Sequence, residues 1–166
     1  MKTLLMPIGY PGCGKSYWAN KMLEEYDIPN VSSDKMRERL YGDATIQGDY
    51  NEVFGNTYDE IRAILETCPV CILDATNVTR HVRWKAICEI DPDEVIYVIF
   101  PDDIKLAKRR NQERDRVVPN RVINKMAYSY RQFYPCPEKD FIGDRRYKIF
   151  KVDDSELYSH IEKRLK

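Results

Sequence analysis

Little in this sequence points to a membrane, a secretory route or a metal cluster. A membrane-spanning helix needs about 20 consecutive apolar residues. No such run occurs, and the opening stretch Met1 to Ile8 is too short for a signal peptide. Histidine occurs only at positions 81 and 160, and both read as surface residues. Cysteines 13, 68, 71, 88 and 136 suit reduced thiols of a cytoplasmic compartment. Cys68-Pro-Val-Cys71 has metal-ligand spacing, but no second Cys or His pair completes a zinc site. The pair also runs into an apolar strand, so buried thiols are expected. Neither sign of charge dominates, since Lys+Arg and Asp+Glu both number 27, and net charge alone predicts no polyanionic partner. Internal repeats, low-complexity tracts and a linker are all absent. A chain of 166 residues, 43% hydrophobic and 33% charged, reads as one globular domain over residues 1–166.

What is present is concentrated in one octet. Gly9-Tyr-Pro-Gly-Cys-Gly-Lys-Ser16 fits G-x-x-x-x-G-K-[ST], a phosphate-binding loop. Its glycines let successive backbone N–H groups curl around a polyphosphate with no Cβ in the way. Lys15 can reach the β- and γ-phosphates, and the Ser16 hydroxyl can ligate Mg²⁺. The donor-site candidates are thus Gly9, Pro11, Gly12, Cys13, Gly14, Lys15, Ser16 and Tyr17. Context supports the motif, because an apolar stretch, Leu4 to Ile8, precedes it and helix formers follow from Tyr17 to Glu25. Trp18, Met22 and Leu23 are placed to form an apolar stripe on that helix.

Strand and helix signals then alternate, which predicts a parallel sheet with crossover helices. Strands are expected at Leu4–Gly9, Asn30–Ser32 (ending at Ser33-Asp34), Val70–Asp74, Val95–Phe100 and Tyr147–Val152. Helices are expected at Lys15–Tyr26, from Asp34 to about Leu40, and at Glu52–Glu66, Arg80–Ile90, Asp103–Arg114 and Asn120–Phe133. A last helix runs from Ser155. Gly42–Asn51 reads as a mobile loop, and Tyr134–Arg146 as a loop holding Pro and Gly. Val118-Pro119 breaks the basic helix and makes residues 103–120 a candidate lid. Ligands collect at the carboxyl ends of parallel strands. That rule selects Asp34, the segment Asp74-Ala-Thr-Asn77 and the start of the basic helix.

Three uses of a bound triphosphate compete. A GTPase needs a guanine-reading Asn-Lys-x-Asp, which is missing. Motor ATPases place a Glu beside the strand-end Asp to orient water, whereas Asp74 is followed by Ala75. A kinase needs a carboxylate near the incoming hydroxyl and arginines that neutralise the transferring phosphoryl. Asp34 supplies the carboxylate, and Arg110 and Arg114, four apart on the expected basic helix, share a face. Residues 105–131 hold nine Lys and Arg against Glu113 and Asp115, a net charge of +7 that leaves −7 for the rest of the neutral chain. Positive charge therefore gathers where phosphates are expected. A kinase fits best.

The chain also resembles the kinase module of polynucleotide 5′-hydroxyl kinases, as found in bacteriophage end-healing enzymes and bacterial RNA-repair proteins. Four blocks carry the resemblance, in the family's order over nearly the whole chain: the octet followed by Trp18, Ser32-Ser-Asp-Lys-Met-Arg37, Leu73-Asp-Ala-Thr-Asn77, and Arg110-Asn-Gln-Glu-Arg114 leading to Val118-Pro119. The resemblance implies an α/β P-loop kinase fold with about five parallel strands and a helical lid. It implies ATP and Mg²⁺ as cofactors, a nucleic acid 5′-hydroxyl end as acceptor, and a bacterial or phage-infected cytoplasm as setting. Lys15 and Ser16 would bind the ATP phosphates and Mg²⁺, and Asp34 would accept the proton of the 5′-hydroxyl. Arg37 would hold the adjoining phosphate, Asp74 would support the metal or its waters, and Arg110 and Arg114 would clamp the donor. Arg116 has a less fixed place, because the spacing beyond Arg114 varies in the family. Nothing in the chain matches the phosphatase or ligase to which such modules are commonly fused.

Plainer readings compete at each position. Asp34 serves equally as the N-cap of the helix that follows it, and Asp74 as a strand-end residue bonding the backbone. The basic helix has a solvated face as its plain reading. Tyr128, Tyr130, Phe133 and Tyr134 read as packing residues rather than a base-stacking platform. The competing functions are a kinase for a nucleoside or other small hydroxyl compound, and a nucleotide-gated binding module.

Overall fold

Residues of alternating orientation in the strands dictate a three-layer sandwich. In β1 (Thr3–Ile8), Leu4, Met6 and Ile8 point into one core and Leu5 into the other. Strands β3 (Val70–Asp74) and β4 (Glu94–Ile99) divide the same way: Cys71, Leu73, Val95, Tyr97 and Ile99 go to the first core, Val70, Ile72, Ile96 and Val98 to the second. Such continuous burial is what a parallel strand covered on both faces requires. The structure, a computed structural model, describes residues 1–134 and 146–166. Cys136 and most of the expected Tyr134–Arg146 loop lie outside the described residues.

Five parallel strands run in the order β2-β3-β1-β4-β5, with β2 at Asn30–Ser32 and β5 at Arg146–Lys151. Seven described helices flank them, completing the expected α/β architecture. On one face, Trp18, Ala19 and Met22 of α1 (Lys15–Tyr26) pack with Leu157 and Ile161 of α7 (Ser155–Leu165). The other face is covered by α2 (Ser33–Tyr41), α3 (Tyr50–Leu65), α4 (Arg80–Ile90), α5 (Ile104–Gln112) and α6 (Asn120–Gln132). Each fully buried Leu, Ile or Met contributes about 1.5–3 kcal/mol relative to exposure. Edge strand β5 is mostly exposed and carries Arg146, Lys148 and Lys151, charges that discourage edge-to-edge pairing.

Four expectations are corrected. Leu23 is 43% exposed, because the buried stripe of α1 runs through Lys15, Trp18, Ala19 and Met22. Ser33 and Asp34 belong to the first turn of α2 rather than to the end of β2, since the Ser32 hydroxyl accepts from the Lys35 N–H (3.4 Å) and starts the helix at Ser33. Helix α3 begins at Tyr50, inside the expected loop, because the Asp49 carboxylate accepts the Glu52 N–H at 2.8 Å. His160 is not a surface residue: its side chain is 13% exposed, and its ring Nε2 lies 3.1 Å from Glu94 Oε1.

Glu94 sits at the start of β4 with 1% of its side chain exposed, opposite the candidate site. Arg164 grips it in a two-pronged contact, Nε at 2.7 Å and Nη2 at 3.0 Å. Burial alone would raise the carboxyl's pKa, but the Arg164 and His160 hydrogen bonds overcome this and hold it below the ordinary glutamate range. A carboxylate with a depressed folded pKa stabilises the fold above its unfolded pKa, about 4.3–4.5. That stability disappears as pH falls through the lower, folded value. Glu94→Gln leaves the Arg164 charge facing a neutral partner and should cost about 3 kcal/mol at pH 7. Below about pH 4 the melting temperatures of variant and parent should converge; a constant gap down to pH 3 would contradict the ion pair's role.

Candidate active site

Loop residues 9–14 join β1 to α1 through two glycines in the left-handed region, Gly12 at φ 87° and Gly14 at φ 102°. L side chains resist such angles. At Gly12 space forbids them too, since a Cβ there would lie 2.2 Å from the carbonyl oxygen of Ala107 in α5. At Gly14 the nearest group to a Cβ position is Arg110 Nη1, at 3.7 Å, so that guanidinium already lies over the loop. Gly14 is the N-cap of α1 and provides no side-chain acceptor. The first N–H groups of the helix are thereby left to a ligand, which is the geometry of an anion site. Lys15 is 8% exposed, and its ammonium donates to the Tyr10 carbonyl at 3.1 Å. Cys13 is buried, Pro11 half-buried, and Ser16 and Tyr17 exposed.

The loop is braced from both sides. Tyr10 is fully buried and donates its hydroxyl to Asp102 Oδ1 at 2.7 Å, while Arg131 of α6 holds the same carboxylate at 2.6 and 2.9 Å. These bonds place the Asp102 carboxyl below its ordinary range, Arg131 being the main cause. Across β1, the buried Asn77 donates to the carbonyls of Pro7 (2.9 Å), Leu73 (3.3 Å) and Ala75 (3.1 Å). The Asn77 backbone carbonyl accepts from Arg83 Nη1 at 3.1 Å, and Arg83 Nη2 reaches the Phe133 carbonyl at 2.8 Å. Asn77 lay in a quoted motif without a role. Arg83 had no sequence signal beyond being a charge in a helix, yet it is fully buried.

Asp74 ends β3, next to β1 and paired in register with Ser32 of β2. It is 7% exposed. Burial pushes its carboxyl above the ordinary range, against the pull of the Lys15 ammonium and a hydrogen bond from Ser16. The Ser16 hydroxyl and the Asp74 carboxylate are hard oxygen donors of the kind that support Mg²⁺ together with phosphate oxygens. Among the described residues no cluster of three or more His, Cys, Asp and Glu could hold a metal by itself.

Asp34 is not the helix cap, a role taken by Ser32. Its carboxylate is half exposed and lies between two guanidiniums, Arg37 Nη1 at 3.1 Å and Arg116 Nη1 at 3.0 Å. Arg37 is further held by the Gln47 carbonyl (Nε, 3.4 Å) and by the Phe54 ring, 5.8 Å from the guanidinium carbon. Its side chain is 12% exposed, against 27% for Arg116. The contact to Arg116 is the main thing the sequence did not reveal, because it bridges 82 positions and comes from a segment outside any regular element.

That segment also corrects the expected lid. Helix α5 stops at Gln112, so Arg114 lies beyond it and shares no helical face with Arg110. The cause is Asn111, fully buried, whose amide pairs with both backbone groups of Val118: Nδ2 to the carbonyl at 2.8 Å and Oδ1 from the N–H at 3.0 Å. This bracket closes residues 112–117 into a loop, and the loop carries Arg114 and Arg116.

Comparison with known proteins bears on the family and the fold. The profile of a family described as AAA domain matches residues 4–133, most of the chain. The chain belongs to that AAA-domain family. AAA-domain residues 4–133 take in the phosphate loop, Asp34, Asp74 and the arginine segment. The fold is that of the P-loop kinases. A chain of the Pnkp1/Rnl/Hen1 RNA repair complex is similar at 21% identity and a TM-score of 0.68, covering 94% of this chain but only 50% of its own length. A gluconokinase from Sinorhizobium meliloti 1021 is similar at 15% identity and a TM-score of 0.56, covering 98% of this chain and 89% of that one. A sugar kinase from Janibacter sp. HTCC2649 is similar at 15% identity and a TM-score of 0.62, with 99% and 95% covered. At these identities the likeness concerns the fold alone. No described helix is long and apolar enough to cross a membrane.

The two roles open to Asp34 separate experimentally. Ser32→Ala removes the cap of α2 and should cost about 1 kcal/mol of stability. Asp34→Asn should change stability by no more than about 0.5 kcal/mol, because its two ion pairs are partly exposed. Urea melts check both, and a larger loss for Asp34→Asn than for Ser32→Ala would return Asp34 to a structural role.

Proposed function

We propose that this chain is an ATP-dependent kinase that transfers the γ-phosphate to the 5′-hydroxyl end of DNA or RNA. One observation carries the reading: a half-exposed carboxylate, Asp34, in the helix that follows β2 at the same sheet end as the phosphate loop, stands between Arg37 and Arg116. A carboxylate is what an incoming hydroxyl needs as proton acceptor. Two guanidiniums at that spot favour a hydroxyl compound with a phosphate close to its reacting oxygen, because guanidinium and phosphate match in charge and in hydrogen-bond geometry. A 5′-terminal nucleotide with its 3′-phosphate is such a compound.

The roles then distribute as follows. The loop from Gly9 to Ser16 and the N-terminus of α1 hold the donor phosphates. Lys15 turns from the Tyr10 carbonyl to the β- and γ-phosphates, and Ser16 and Asp74 would hold Mg²⁺, which would supply charge neutralisation. Asp34 takes the hydroxyl proton as the oxygen attacks, and Arg37 holds the neighbouring acceptor phosphate. Arg110, already over Gly14, and Arg114 stabilise the donor. Both substrates have their own place, so transfer is direct and in line without a phosphoenzyme. The similarity to a chain of an RNA repair complex supports this acceptor. The gluconokinase and sugar kinase similarities favour the second reading, a kinase of a small hydroxyl compound. An acceptor base argues against a nucleotide-gated binding module.

Lys15→Ala should lower phosphotransfer at least about a hundredfold, equivalent to about 2.7 kcal/mol of transition-state stabilisation, with the melting temperature retained. The acceptor question is decided with labelled ATP and a panel of 5′-hydroxyl oligonucleotides, nucleoside 3′-phosphates, nucleosides and sugars. Oligonucleotides and nucleoside 3′-phosphates should be labelled preferentially. Arg37→Ala should reduce their use by roughly ten- to 150-fold while barely touching a plain nucleoside. Preferred labelling of a sugar, or equal losses with and without the acceptor phosphate, would put the small-molecule reading first.

A further inference from the structure

The positive charge of residues 105–131 exceeds what phosphoryl transfer needs, and the structure shows where the excess lies. Helices α5 and α6 carry seven Lys and Arg and no carboxylate, in a chain whose total charge is zero. Arg110 faces the loop at Gly14, and Arg131 is bound to Asp102. The other five, at positions 105, 108, 109, 121 and 125, meet no carboxylate among the described residues. On α6, Arg121, Lys125 and Tyr128 follow at steps of four and three and so share one face. All three are exposed, Tyr128 at 65%. The opposite face of α6, through Ile123, Ala127 and Tyr130, is buried in the core.

Both ends of this helix are tied to the site. Just before it, Arg116 contacts Asp34, and near its end Arg131 holds the carboxylate that receives the Tyr10 hydroxyl. The exposed stripe thus belongs to a helix whose two ends adjoin residues of the proposed site. We infer that this outer face of α6 binds a single-stranded nucleic acid through Arg121, Lys125 and Tyr128, at nucleotides beyond the end being phosphorylated. The inference rests on the nucleic-acid reading of the acceptor. Cations set about 6 Å apart along the helix axis contact backbone phosphates, and an exposed tyrosine about one turn beyond them offers a ring on which a base stacks. Field concentration on one side of a neutral protein also steers a polyanion to that side. A lipid surface is a poorer fit, because a membrane-binding helix needs a free apolar face, and that of α6 is used by the core.

The test uses the whole chain and fluorescein-labelled single-stranded oligonucleotides of 4 and 20 nucleotides, with binding read by anisotropy at several salt concentrations. A doubly neutralised variant, Arg121→Gln with Lys125→Gln, should bind the 20-mer at least about tenfold more weakly. Its slope of log affinity against log salt should be shallower by about 1.4, or roughly 0.7 for each lost phosphate contact on a single strand. Tyr128→Ala should weaken the 20-mer by about fivefold or more with little change in slope. Neither variant should alter the melting temperature, binding of the 4-mer, or phosphotransfer to a nucleoside 3′-phosphate. Unchanged 20-mer affinity and slope would overturn the inference, as would binding of a polyglutamate peptide as tight as that of the 20-mer. If the nucleoside 3′-phosphate is phosphorylated while both variants bind normally, the inference falls and the proposed function stands. If no nucleotide is phosphorylated yet the variants lose the 20-mer, the reverse holds.

Discussion

The carboxyl end of β1 is gripped from every side, and the site inherits its shape from that grip. On one edge the Gly9 N–H reaches the Thr76 carbonyl at 3.1 Å, and on the other the Phe100 N–H reaches the Ile8 carbonyl at 3.1 Å. Asn77 adds a side-chain bond to the Pro7 carbonyl. Asn77 itself takes a left-handed conformation, φ 51°, which Asn tolerates better than most residues. Phosphate binding by backbone N–H groups depends on those groups being fixed before the ligand arrives. A strand end held on three sides provides that fixity, while the neighbouring strand β3 ends in Asp74 and α2, which follows β2, carries Asp34 in its first turn.

How much of this was legible in the sequence depends on range. The octet, the strand before it and the helix after it are local, and the structure places them as read. Strands β1, β3 and β4 were legible because each is a short run buried along its whole length, which leaves little choice of partner, whereas β2 spans only three residues and β5 is mostly exposed. Boundaries failed where a side-chain hydrogen bond decided them. Asp49 starts α3 early, Ser32 starts α2 early, and Asn111 stops α5 short by reaching Val118. Such bonds cost or gain about 1 kcal/mol, too little to mark a sequence but enough to move a helix end. Contacts between distant residues were not legible at all: Arg116 on Asp34, Arg83 on Asn77, and Arg164 on Glu94 span 82, 6 and 70 positions, and even the nearest needs a turn to bring it round.

The arginines around the site fall into two mechanical kinds. Arg110 projects from a helix seated on the phosphate loop, and Arg37 is pinned by a carbonyl and an aromatic ring. Arg114 and Arg116 stand on a loop closed by the single residue Asn111. The first pair is fixed in place by its surroundings. The second pair can be repositioned without disturbing any helix, and moving Arg116 off Asp34 would break one partly exposed ion pair.

The contact of Gly12 with Ala107 sets a limit on how this sequence can drift. A substituent at position 12 would strike the carbonyl oxygen of residue 107, and every amino acid carries that oxygen. No replacement at 107 could therefore make room for a larger neighbour. Most packing pairs can trade volume, one shrinking as the other grows. This pair has only one solution while α5 stays where it is, and relocating α5 would carry the Arg110 guanidinium off the phosphate loop.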